Sequence, residues 1–187
     1  MSKSDLTKQA LDESFRSLLA TKPLDQVTVT AIARNCGVNR QTFYYHFHDV
    51  YDLIHWSINT RIAAALPGGH DSEKWQDSLT VILHTLIDDR DLVIKLRHSI
   101  DSGLMHRYMR DEVGNLVIEA VTREFGPIEI PERDMVFISR FFAAGVTDAV
   151  LSWIDDGMHE TPETLVSQFE LLIRPDIARL VARLSNA

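Results

Sequence analysis

The sequence predicts an all-α fold: an N-terminal three-helix, helix-turn-helix domain joined by a long fourth helix to a C-terminal helical domain. Three observations carry this. Apolar residues recur at three- and four-residue spacings through most of the chain, the period of one helix face. Only 8 glycines and 6 prolines occur in 187 residues, and most of them separate the periodic runs. Charge is divided along the chain. Residues 1–50 hold six basic residues (Lys3, Lys8, Arg16, Lys22, Arg34, Arg40) and five acidic ones (Asp5, Asp12, Glu13, Asp25, Asp49), a net +1. The whole chain is −8, so residues 51–187 carry −9.

The elements follow in order. Leu6, Ala10, Leu11, Phe15, Leu18 and Leu19 form one stripe, predicting a helix over 5–21 that Pro23 and Asp25 end. Thr28 is placed to cap a short helix through Asn35, its hydroxyl accepting from first-turn amides. Val27-Thr28-Val29-Thr30 alternates like a strand, but four residues followed by Ala-Ile-Ala-Arg read better as a helix start. Gly37 suits a left-handed residue after that helix. Asn39 then caps a second short helix, Arg40 to Phe47, and Asp49 caps a long helix to Leu66. Leu53, Ile54, Trp56, Ile58 and Ile62 form its inner face. Pro67-Gly68-Gly69 breaks the chain. Further helices are predicted over about 72–88, 90–100, 104–125, 132–156 and 162–184, with a kink or restart at Pro175. The domain boundary falls between 48 and 49: a head over 1–48 and a body over 49–187.

Composition sets limits on function. A 45% apolar content sustains a sizeable core, and 25% charged residues is ordinary for a soluble domain. No continuous apolar run approaches the ~18 residues of a membrane helix. The first six residues lead straight into a helix-like segment, without a signal peptide. The expectation is a cytoplasmic protein with no membrane partner. Cys36 is the sole cysteine, which excludes an internal disulfide and a multi-cysteine zinc site. It sits in the turn, where a small residue packs, and lacks the base and oxyanion site a nucleophile needs. There is no glycine-rich phosphate loop, so no enzyme and no cofactor are expected. The eight histidines are scattered, and none forms the His-x-x-x-His pair of a helical metal site, so no metal is expected. Asp88-Asp89 and Asp155-Asp156 read as solvated helix ends.

The informative stretch is Thr28 to Phe47. A short helix, a glycine turn and a second short helix rich in Arg, Gln, Thr, Tyr and His is what a helix-turn-helix reader of double-stranded DNA needs. Its second helix must expose long polar side chains to reach base edges and keep phosphate donors around it. Val38, Phe43 and Phe47 supply the docking face. That leaves Arg40, Gln41 and Tyr45 to read bases, and Thr28, Thr42, Tyr44 and His46 to hold phosphates. A +1 module binds weakly alone, so a homodimer on a palindromic operator is the natural solution.

Thr28-Val-Thr-Ala-Ile32-Ala33, Gly37-Val38 and Thr42-Phe43-Tyr44-Tyr45-His46-Phe47, followed by Asp49 and Leu53, resemble the DNA-binding domain of TetR/AcrR-type bacterial transcription regulators. Arg40-Gln41-Thr42-Phe43-Tyr44 and Asp49-Val50-Tyr51-Asp52-Leu53 look closest to the branch of the dihydroxyacetone-kinase regulator DhaS. Phe141-Phe142-Ala-Ala-Gly145, Trp153, Gly157 and Thr161-Pro162-Glu163 are similar to the same branch. The resemblance implies a one-component regulator, more often a repressor, in which a signal at the C-terminal domain changes the separation of two heads. It implies that the last two helices form a dimeric four-helix bundle. The nearly all-round apolar helix 132–156 and the helix after it supply the candidates Phe141, Phe142, Gly145, Val146, Ala149, Trp153, Leu165, Phe169 and Leu172. Ala143-Ala144-Gly145 would permit a close helix crossing. It also implies an effector site for a small molecule or coactivator protein. Trp75, His84, Met105, His106, Tyr108 and Phe137 are the candidates for its lining. The family commonly has a lysine where this chain has Val50, which removes one phosphate contact. That departure motivates the alternative: an interaction adaptor whose head has weakened or lost DNA reading.

Overall fold

The computed structural model describes residues 2–66, 74–99, 102–125 and 131–172, and every regular element among them is helical. The first helix, α1 (Lys3–Thr21), starts two residues earlier than its apolar stripe predicts. A reciprocal cap explains this: Asp5 N donates to Ser2 Oγ (3.1 Å) and Ser2 N donates to Asp5 Oδ2 (2.9 Å). The buried stripe is Leu11, Phe15 and Leu19, whereas Leu6 is 55% exposed. After Pro23 a single 3-10 turn, Leu24–Gln26, tucks Leu24 inside, an element the periodicity does not predict.

Three successive helices begin where their caps predict. Thr28 Oγ1 accepts from Ala31 N (3.2 Å) and opens α2 (Val29–Asn35). Asn39 Oδ1 accepts from Thr42 N (2.8 Å) and opens α3 (Arg40–His46). Asp49 Oδ1 accepts from Asp52 N (2.9 Å) and opens α4 (Val50–Ala65). Each cap satisfies an amide that the first turn leaves without a partner. Gly37, at φ 75°, ends α2. Val38 N then reaches back to Ala33 O (2.9 Å) and Gly37 N to Arg34 O (3.3 Å), the paired bonds of a left-handed C-terminal cap.

The remaining helices are α5 (Trp75–Asp88), α6 (Arg90–Ser99), α7 (Ser102–Phe125), α8 (Glu132–Asp155) and α9, described over 162–172. The expectations for Pro175 and for 173–184 lie outside the described residues.

The chain divides into two compact units. One is Met1–Pro67 with Asp89–Ser99; the other is Gly68–Asp88 with Ile100–Ala187. The first therefore contains α4 and α6 as well as the three-helix head. Its core is Leu11, Phe15, Leu19, Ile32, Phe43, Phe47, Leu53 and Ile54, all buried. Asp88 is exposed, as read from the sequence, but Asp89 is not a solvated helix end. Its side chain is 18% exposed and pairs with Arg16 (2.6 Å) and Arg61 (2.6 Å). The Arg16 hydrogen bonds hold its carboxyl below the usual carboxylate range, with Arg61 adding to the effect, against the opposing push of burial.

In the second unit α7 packs on α8. Ser139 Oγ donates to Gly114 O (3.0 Å), and a Cβ at Gly114 would stand 3.1 Å from that hydroxyl. Ala143 lies at the same crossing and is buried, whereas Ala144 and Gly145 are exposed. So among the described residues, Ala143 is the one of these three that lies at a helix crossing. By length and composition α8 is apolar enough to cross a membrane. Its apolar residues divide between two faces. Ile138, Val146, Val150, Leu151, Trp153 and Ile154 are buried; Phe137 and Phe141 are 69% and 64% exposed. The helix ends at Gly157 (φ 78°), with Met158 also left-handed (φ 55°) and buried. Met158 N bonds Trp153 O (2.8 Å), and Trp153 Nε1 donates to Glu160 O (2.8 Å).

Candidate nucleic-acid interface

Packing fixes the orientation of α3. Phe43 is fully buried and Phe47 nearly so. Their rings lie 5.8 Å apart, and Phe47 meets Trp56 of α4 edge-on at 5.7 Å. Behind them Ser14 of α1 is buried and donates to Ile32 O (2.8 Å), while Asn35 Nδ2 donates to Ser14 Oγ (3.1 Å). This polar tie joins α1 to the middle and the C-terminal end of α2. A buried hydroxyl with both roles filled costs little and specifies one arrangement.

With one face anchored, the rest of α3 points to solvent. Arg40 and Gln41 are exposed, Tyr44 is 52% exposed and Tyr45 is 82% exposed. Arg40 lies along Tyr44, its guanidinium carbon 5.9 Å from the ring centre and Nη2 3.4 Å from the hydroxyl. Tyr45 meets His46 edge-on at 4.9 Å. So α3 presents a planar cation, an amide and two phenols on one face. These groups can donate to base edges and phosphate oxygens.

The phosphate candidates differ among themselves. Thr28 is exposed, and its hydroxyl oxygen accepts in the cap, which leaves the proton available to a phosphate. Thr42 is half-buried, and its hydroxyl donates to Asn39 Oδ1 (3.0 Å), so its proton is already used. His46 is half-buried, and Tyr44, like Thr28, is exposed. Val50, half-buried in the first turn of α4, offers no side-chain donor. The sequence reading did not reach Lys8, whose ammonium lies 5.9 Å and 5.8 Å from the ring centres of Phe47 and Trp56. Nor did it reach the Asp89 pairs.

In the second unit, the effector candidates lie on different elements. Trp75 is half-buried at the start of α5. His84 is exposed and hydrogen-bonds Glu163 Oε1 (2.8 Å), which holds that carboxyl below its ordinary range. His106 is half-buried, 3.8 Å from Asp148 Oδ1. Tyr108 is 45% and Phe137 69% exposed; the side chain of Met105 lies outside the described residues. The dimer candidates separate into two groups. Val146, Trp153, Leu165 and Phe169 are buried in the chain's own core, and Phe142 and Ala149 are half-buried. Phe141, Gly145 and Leu172 are exposed. The exposed face also includes Phe137, Ala144 and Leu171, which were not in that set.

Residues 14–55 match the family described as bacterial regulatory proteins, tetR family, and residues 73–175 match a transcriptional regulator C-terminal region. One curated relative is the HTH-type dhaKLM operon transcriptional activator DhaS of Lactococcus lactis subsp. lactis (strain IL1403), 26% identical over 109 residues. That match spans 58% of each protein. The fold is similar to the solved dihydroxyacetone kinase operon activator DhaS, with a TM-score of 0.64 at 22% identity, covering 95% of this chain and 96% of that one. It is also similar to a TetR transcriptional regulator from Streptococcus agalactiae 2603V, with a TM-score of 0.61 at 23% identity over 91% and 95% of the two chains.

Proposed function

The chain belongs to the TetR family of bacterial transcription regulators, and from that premise we propose that it binds a palindromic operator as a homodimer. Its DNA-binding helix-turn-helix would place α3 in the major groove. Arg40 and Gln41 read bases there, and Tyr45 adds an apolar edge for a thymine methyl. Tyr44, Thr28 and His46 hold the backbone, with Thr42 contributing only if its bond to Asn39 opens. The observation that carries this reading is the division of α3 into one buried aromatic face and one polar face, with Arg40 already laid along Tyr44.

The dimer closes on the free face of α8 and α9. Phe137, Phe141, Ala144, Gly145, Leu171 and Leu172 meet their counterparts in a second copy, over a base of Val146, Trp153, Leu165 and Phe169. Exposed phenylalanines and leucines on neighbouring helices are the usual mark of an association surface. A small molecule or partner protein at the second unit, with Trp75, His84, Met105, His106, Tyr108 and Phe137 the residues to probe, shifts the balance between two separations of the heads. The protein acts in the cytoplasm. Repression is the commoner family mode, whereas the Lactococcus relative is named an activator. Operator position relative to the promoter distinguishes the two, and a reporter fusion reads it.

The test is selection of genomic fragments on the purified protein, followed by titration at several salt concentrations. A recovered palindrome whose affinity falls steeply with salt supports the reading. On that site Arg40→Ala costs about 1–3 kcal/mol and relaxes base preference at its position. An intact dimer that enriches no fragment, in buffer or in cell extract, favours an adaptor, a reading consistent with the missing lysine at Val50.

A further inference from the structure

Helix α6 comes from the middle of the chain, yet it belongs to the same compact unit as α1–α4. Buried Leu96 and two polar side chains take part in this. Asp89, just before the helix, accepts Arg16 Nη1 (3.0 Å) and Nη2 (2.6 Å) from α1, and Arg61 Nη1 (2.6 Å) from α4. Arg61 Nη2 also lies 3.7 Å from Asp12 of α1. Six residues further on, Lys95 Nζ donates to Leu19 O and Ala20 O, 3.2 Å each. Those carbonyls end α1, where a helix has no backbone partners left and carries partial negative charge.

We propose that the DNA-reading head is discontinuous in sequence, with residues 2–66 completed by 89–99, and that Asp89 is the positioning residue that sets α4 against α1. This rests on the reading of α3 as the helix that contacts DNA. The frame of α3 has two supports. Ser14 ties α1 to α2, and α4 follows α3 after three residues, packing Trp56 on Phe47. The crossing of α1 and α4 therefore decides where Arg40 and Gln41 point. At the far end of α4 that crossing is held by a four-charge cluster: Asp12, Arg16, Arg61 and Asp89. One carboxylate engages both arginines at once. Its loss leaves two partly buried guanidiniums sharing only Asp12, a costly state that the helices relieve by shifting.

The experiment uses the full-length chain and the variants Asp89→Asn, Asp89→Glu and Arg16→Lys. Two readouts are taken: affinity for the selected operator and for an unrelated duplex of equal length, and amide hydrogen exchange in the free protein. Asp89→Asn weakens operator binding about tenfold, whereas Asp89→Glu, which keeps the carboxylate, retains most of it. The unrelated duplex binds as well or better, because the variant has lost a negative charge. Simple charge repulsion by Asp89 predicts the opposite sign on the operator. In the free protein, amides of α4 and α6 exchange faster relative to those of α7 and α8. Unchanged or tighter operator binding together with unchanged α4 exchange overturns the proposal. Should Asp89→Asn fail to fold, Arg16→Lys, which keeps the charge but loses the two-pronged contact, is read in its place. Should the protein select no operator, the exchange data still decide the role of Asp89, separately from the DNA-reading function.

Discussion

In α1 of the head, Leu11, Phe15 and Leu19 are at most 1% exposed; in α8 of the body, Phe137 and Phe141 remain 69% and 64% exposed. The head buries its apolar stripe, and Ser14, Asn35, Asp89 and Lys95 tie off several of its polar groups. Helix α8 has more apolar surface than its own chain covers. A helix apolar all round needs partners all round, and a single chain of this size supplies them on one side only. The head is finished within one chain; the body presents a face suited to another.

Two phenylalanines test that contrast most strongly. Phe43→Ala empties a fully buried site, and we expect a loss of about 3–5 kcal/mol in urea unfolding, led by the head. Phe141→Ala at protomer dilution changes stability by only about 0.5 kcal/mol, but on the proposed dimer it lowers the sedimentation coefficient relative to the wild-type chain at equal concentration. Equal destabilisation of the diluted protomer by both variants would erase the distinction.

Two glycines sharpen it. Gly114→Ala drives a methyl against the buried Ser139 hydroxyl and costs about 1–3 kcal/mol as overpacking; adding Ser139→Ala returns part of it. Gly37→Ala meets no neighbour within 4 Å, so its cost, about 1–2 kcal/mol, comes from the left-handed backbone alone. Gly37→Asn is milder than Gly37→Ala, since asparagine tolerates that region. Thermal unfolding of the four variants checks both mechanisms.

The smallest expected effect is the pH dependence of the head. The Asp89 carboxyl is depressed in the folded chain. Its contribution is therefore fully present above the unfolded carboxylate value of about 4 and is lost as pH falls through the lower folded value. The difference in urea midpoint between the wild-type chain and Asp89→Asn should be constant near neutrality and shrink below about pH 4. A gap that stays constant down to pH 2 would detach Asp89 from the stability of the head.

How much was legible in the sequence divides along the same line. The caps at Thr28, Asn39 and Asp49 and the turn at Gly37 were readable, and so were the aromatic docking face and the exposed Arg40, Gln41 and Tyr45. The Ser2–Asp5 cap is equally local, but it lies ahead of the apolar stripe, so periodicity does not mark it. The free face of α8 was half visible: its apolar excess is a matter of composition, but that the chain buries Val146 and Trp153 and leaves Phe137 and Phe141 exposed was not readable. Periodicity ranks residues by face and does not say which face the chain itself will cover.

The sequence alone determined the helices, their ends and the chemistry of α3, because a cap, a left-handed glycine and an apolar repeat act over three or four residues. Only the tertiary structure decided that Asp89 would engage Arg16, 73 residues away, and Arg61, 28 residues away. It alone also left Phe137 and Phe141 uncovered. Such choices depend on which helices cross, and a crossing is settled by the sum of many weak, non-local contacts that no local spacing encodes.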